Sequence, residues 1–134
     1  MAKPLIEVAL KLTGHGVTPE KITNAIQLTP TKSWTIGDSI GKTIRKHKCT
    51  GWIFGLPRRE AYEMGELLRE LLDTLELHMD KIISARKQFR LEVEISFGVY
   101  IGDEMPAGWF DADLIRRVAI IEASLDIDLI PYGI

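Results

Sequence analysis

Between Leu91 and Ile101 every second side chain is apolar. Leu91, Val93, Ile95, Phe97, Val99 and Ile101 fall on one side, and Glu92, Glu94, Ser96, Gly98 and Tyr100 on the other. A strand sends alternate side chains to opposite faces, so this period of two predicts a long strand with one buried face and one face in water. Two other segments repeat the pattern. From Leu5 to Thr13, Ile6, Val8, Leu10 and Leu12 alternate with Glu7, Ala9 and Lys11. From Leu125 to Ile130, Leu125, Ile127 and Leu129 alternate with Asp126 and Asp128. Strands of this kind need an apolar cover on one face only, and helices supply it.

The helices are marked by their ends and by spacings of three and four. Thr18 is placed to cap a helix over 19–27, with Pro19 at the first helical position and Glu20 beside the positive helix end. Ile22, Ala25 and Ile26 share its apolar face. Ala61, Met64, Leu67, Leu68, Leu71, Leu72 and Leu75 predict a long helix from Arg58 to Leu75, with a second stretch over 79–87. Asp111 is a cap for a helix carrying Leu114, Ile115, Val118, Ala119 and Ile121. Residues 32–57 read as a turn-rich hairpin or loop followed by a strand over 50–56. Strand, loop, capped helix and following segment occur in residues 5–36 and again in 91–130. The fold expected is α+β: a mostly antiparallel sheet of about five strands with helices packed on one face, ferredoxin-like in plan with a weak internal repeat.

Length and composition set the outer bounds. The 134 residues contain no Pro/Gly/Ser linker, so 1–134 reads as one domain. A chain of this size removes roughly two-thirds of its extended surface from water, enough for a core without staples. At 46% hydrophobic it is too apolar for disorder. Cys49 is the single cysteine, which excludes an intrachain disulfide framework and a cysteine-cluster zinc site. No apolar run approaches the roughly 20 residues of a membrane span. Met1 to Leu12 contains Pro4, Glu7 and Lys11, unlike a signal peptide, and the expected location is the cytoplasm. The net charge of −2 and the lack of a nucleic-acid motif argue against a nucleic-acid partner.

The charges are unevenly distributed. Glu7, Glu92, Glu94, Asp126 and Asp128 all fall on the polar sides of the three strands, against Lys11 alone. If those strands are neighbours, the open face is acidic, and like charges facing each other across strands repel. Residues 32–59 hold seven basic side chains (Lys32, Lys42, Arg45, Lys46, Lys48, Arg58, Arg59) and one acidic one, Asp38. That segment either lies over the sheet as a local salt-bridge layer or leaves the face for a basic partner. A second copy supplying its own basic segment would give a homodimer. Asp126 and Asp128 alone offer fewer oxygens than a hard divalent cation takes, so no metal is expected, and no cofactor motif is present.

A second candidate site is the Gly14-His15-Gly16 turn with Thr18, where the following helix N-terminus could receive an anion. A lone Gly-x-Gly is a weak signal. His47 and His78 lack a second histidine at ligand spacing, and Cys49 lacks an identifiable base. Trp34, Trp52 and Trp109 read as core or interface fill.

Taken in order, Leu12-Thr13-Gly14, Thr18-Pro19-Glu20-Lys21-Ile22, Leu28-Thr29-Pro30-Thr31, Gly37-Asp38, Trp52, the Leu-rich helix and Leu125-Asp126-Ile127-Asp128-Leu129 form a pattern. It resembles the bacterial domain-of-unknown-function family 4279 over residues 6–132. The resemblance implies an α+β domain and brings no catalytic residues. The expected function is a non-enzymatic protein-binding domain, regulatory or immunity-type, using Glu7, Glu92, Glu94, Asp126 and Asp128. The alternative is a small-ligand or enzyme site at Gly14, His15, Gly16 and Thr18.

Overall fold

The computed structural model describes residues 3–132. Its elements are β1 (Leu5–Gly14), α1 (Pro19–Ile26), β2 (Lys32–Trp34), β3 (Thr50–Gly55), β4 (Arg59–Glu60), α2 (Met64–Leu75), α3 (Met79–Phe89), β5 (Glu92–Ile101), α4 (Ala112–Ile120) and β6 (Ser124–Pro131). The sheet runs β2-β3-β1-β5-β6, with β4 also on β1. Each pairing is antiparallel except β5 with β6. The fold is the expected α+β arrangement, with a mostly antiparallel open sheet. The two strand-helix-strand passages return differently. After α1 the chain enters β2, which runs in the same direction as β1 but is separated from it by β3, whereas α4 returns β6 parallel to β5 and directly beside it. The echo therefore covers element order and strand direction, but not pairing.

Alternation decides which way the sheet faces. Ile6, Val8, Leu10 and Leu12 of β1 and Val93, Ile95, Phe97 and Val99 of β5 are buried. Their register makes Leu10 the neighbour of Ile95 and Val8 that of Phe97, so both rows form one apolar surface. On it lie Leu67, Leu68, Leu71, Leu72 and Leu75 of α2, with Ile22 and Ile26 of α1 and Leu114 and Val118 of α4. Trp52 of β3 joins this core, and its indole N–H donates to Thr23 Oγ1 on α1 at 2.9 Å. Two caps hold as the sequence predicts. Thr18 accepts from the N–H of Lys21 and Asp111 from that of Leu114.

The long helix begins at Met64, six residues after Arg58. The preceding residues are extended because β1 claims them: Arg59 and Glu60 pair with Ile6 and Leu5, and the N–H of Ala61 donates to Pro4 O. Between the Ala9–Gly55 pair and the Ile6–Arg59 pair the alignment slips by one residue. That is a bulge at Pro57 and Arg58, a device that re-aims a side chain. β6 supplies the other departure. By register Leu125, Ile127 and Leu129 lie on the helix-covered side, beside Ile95, Phe97 and Val99. Yet they remain 40%, 39% and 60% exposed, because the helices stop short of the last strand.

Candidate functional site

The opposite face of the sheet carries no helix. Cross-strand rows describe it. One row runs Lys32, Ile53, Lys11, Glu94, Ser124, and the next Gly55, Ala9, Ser96, Asp126. A third holds Glu7, Gly98 and Asp128. The middle row is small at Gly55, Ala9 and Ser96, and it lies in a trough of about 630 Å³. It is rimmed by Lys11, Lys32 and Pro57 toward β3 and by Asp128 and Ile130 at β6.

The bulge explains one wall. It turns Arg58 onto the open face, where Nε donates to Glu7 Oε2 at 3.2 Å and a terminal nitrogen donates to the Tyr100 hydroxyl at 2.8 Å. Tyr100 in turn donates to Glu7 Oε1 at 3.2 Å, and the guanidinium lies 4.0 Å from the Tyr100 ring centre. Glu7 is thus neutralised within the chain. The basic segment does little else for the acidic face. Arg59 pairs with Glu70 on the helix side, and Lys32 lies over the Trp34 ring with Lys11. No ion pair among the described residues reaches Glu92, Glu94, Asp126 or Asp128. The face is therefore graded, with Lys32 and Trp34 of β2 and Lys11 of β1 toward one edge and carboxylates at β5 and β6. The sequence put Tyr100 on the polar side and Arg58 in a basic segment able to cover it, but did not pair Arg58 with Glu7 or place Trp34 on this face. The Pro57 interruption was the available signal for Arg58.

The second candidate site lies at the end of β1 and the start of α1. Gly14 and His15 line a depression of about 160 Å³ with Thr13, Cys49, Arg90 and Glu92. Gly16 does not line it, and the Thr18 oxygen is occupied in capping α1. His78 Nδ1 lies 3.0 Å from Ile26 O and His47 stacks on Trp34 at 4.5 Å. Among the described residues no group of three or more His, Cys, Asp or Glu is arranged to hold a metal ion. Among the described residues no helix is long and apolar enough to cross a membrane.

A third concavity, about 210 Å³, lies on the helix side between α2 and the 102–111 segment. Glu63, Glu66, Arg69 and Trp109 line it, and Trp109 is 72% exposed. Phe110 instead packs on Phe97. The carboxyl of Glu63 is raised above its ordinary range, first by its hydrogen bond with Glu66 and then by that group's charge. Tyr62 is raised by its hydrogen bond to Glu104. Asp111 is lowered, chiefly by the N–H of Leu114, with partial desolvation opposing and Arg69 reinforcing. A carboxyl with a lowered folded pKa adds stability above its unfolded pKa and loses it as the pH falls through the folded value. Asp111→Asn should therefore flatten the acid limb of a Tm-against-pH profile. An acid limb identical to the wild type would show that Asp111 contributes nothing to it.

The family model for the domain of unknown function DUF4279 matches residues 4–132, nearly the whole chain. The chain belongs to that family. No curated protein and no solved structure matches it. Membership in DUF4279 carries no assigned activity, so function rests on the chain's own surfaces.

Proposed function

We propose that this DUF4279 chain is a non-enzymatic protein-binding domain of regulatory or immunity type. Its contact surface is the carboxylate end of the open sheet face, Glu92, Glu94, Asp126 and Asp128, with the Glu7–Arg58–Tyr100 cluster as a fixed wall. The observation that carries this reading is an uncovered sheet face holding four carboxylates that no cation of the described chain reaches. Such a face suits a basic partner, because complementary charge steers encounter and rejects wrong partners. The face is an open trough with its four carboxylates spread along β5 and β6, which differs from an enzyme site, where a few groups converge in a cleft.

The test is affinity capture from the lysate of the native host, with the wild type beside Glu92→Lys/Glu94→Lys. Both carboxylates lie on the polar side of β5, outside the core, so the variant should fold, which circular dichroism checks. A basic protein retained by the wild type and lost from the variant is the expected result. A protein retained equally by both would move the contact off this face.

A further inference from the structure

β6 is an edge strand of the sheet. It is eight residues long, lies at the end of the sheet and pairs only with β5. Half of an edge strand's N–H and C=O groups point outward with no partner. Edges are usually blunted by lysine, proline, a bulge or a covering segment. The strand holds no lysine, its one proline is the last residue, Pro131, and all eight residues pair with β5 in unbroken register. Every residue from Ser124 to Leu129 is exposed. One face offers Leu125, Ile127 and Leu129. The exposed Ile115 of α4 lies on the helix flank opposite Arg117, which is tied to Asp73 and Glu76. The other face offers Asp126 and Asp128.

These charges decide between occupants. A second copy related by a two-fold axis would pair β6 with β6 antiparallel. Centring the pair on Ile127 sets Asp126 opposite Asp128. Centring it on Asp126 or Asp128 sets that residue opposite itself. The two registers that pair nearly the whole strand, centred on Ile127 and on Asp128, thus both place carboxylate against carboxylate, which is destabilising. A strand with basic residues at the matching positions would meet attraction there instead.

We propose that β6 is extended by a strand from a partner protein whose residues alternate apolar and basic. The basic side chains lie beside Asp126 and Asp128, and the apolar ones lie beside Leu125, Ile127 and Leu129. Main-chain hydrogen bonds to the free edge supply binding, and the alternation supplies specificity. This rests on the protein-binding reading of the acidic end and adds its mode: strand addition at the edge.

The probe is a synthetic peptide, Thr-Val-Lys-Ile-Arg-Val-Lys-Thr, with a control in which glutamate replaces each basic residue. Binding is read by fluorescence anisotropy, and the site by amide hydrogen exchange in the full chain. The basic peptide should bind more tightly than the acidic one and slow exchange at β6 amides. Asp126→Lys/Asp128→Lys alters two exposed side chains. It should weaken the basic peptide roughly tenfold, since two attractive cross-strand pairs become repulsive. The same variant should gain affinity for the acidic peptide, a rescue that misfolding would not produce. Equal binding of both peptides by the wild type, or protection confined to other strands, overturns strand addition. So does a wild-type dimer at neutral pH with β6 already protected, which would make a second copy the occupant. A host partner lost from Glu92→Lys/Glu94→Lys while β6 exchanges freely in that complex overturns strand addition and leaves the open-face reading standing. Charge-dependent β6 protection by the peptide, with no host protein sensitive to Glu92 and Glu94, does the reverse.

Discussion

Trp52→Ala should cost about 3–5 kcal/mol of folding stability, the range for truncating a large aromatic in a core. Trp52 is fully buried and is the largest side chain in that state. It is also a tie between layers, since its indole N–H on β3 meets Thr23 on α1. Removing the ring leaves a cavity between sheet and helix and orphans the Thr23 contact. Against a total stability of roughly 5–15 kcal/mol, such a loss is a large fraction of the whole. Trp52→Phe keeps much of the ring and loses the hydrogen bond, so it should fall between. Urea unfolding monitored by circular dichroism gives the values. A loss below about 1 kcal/mol for the alanine variant would mean that the cavity collapses or that Trp52 packs elsewhere.

Gly51→Ala should loosen the whole 35–49 segment. A methyl at this position would sit 2.1 Å from the Trp34 ring, closer than any real contact. Trp34 cannot simply give way, because its indole N–H donates to Cys49 O at 3.0 Å and its ring stacks on His47. Those contacts join the segment to the sheet, together with the bond from the Ile36 N–H to Thr50 Oγ1. Overpacking of this kind costs about 1–3 kcal/mol. The sharper readout is tryptic cleavage after Lys42, Arg45, Lys46 or Lys48, which should accelerate well beyond any change elsewhere. Unchanged cleavage with unchanged stability would show that Trp34 does not anchor the segment.

The parts of the fold legible in the sequence are those set by local chemistry. Alternation marked β1, β5 and β6 and assigned each apolar side correctly. Thr18 and Asp111 announced their helices because a capping oxygen acts within three residues. What stayed hidden depends on partners distant in the chain. Arg59 and Glu60 look like the start of a helix until β1 pairs with them. Arg58 neutralises Glu7 from 51 residues away, through a bulge that only the register reveals. That pairing removes Glu7 from the free carboxylates, while Glu92, Glu94, Asp126 and Asp128 keep the open positions their alternation predicts. Alternation also states which side of a strand is apolar, but not whether a helix is wide enough to cover it. The exposed Leu125, Ile127 and Leu129 are the consequence.

The central claim is that the carboxylates at the β5 and β6 end meet the partner directly. Carbodiimide coupling tests this, because it joins only carboxylates and amines already in contact. The captured complex would be treated with carbodiimide, digested and analysed by mass spectrometry. Links from Glu92, Glu94, Asp126 or Asp128 to partner lysines are the predicted result. Links confined to the helix side, at Glu63, Glu66 or Asp73, would contradict the account.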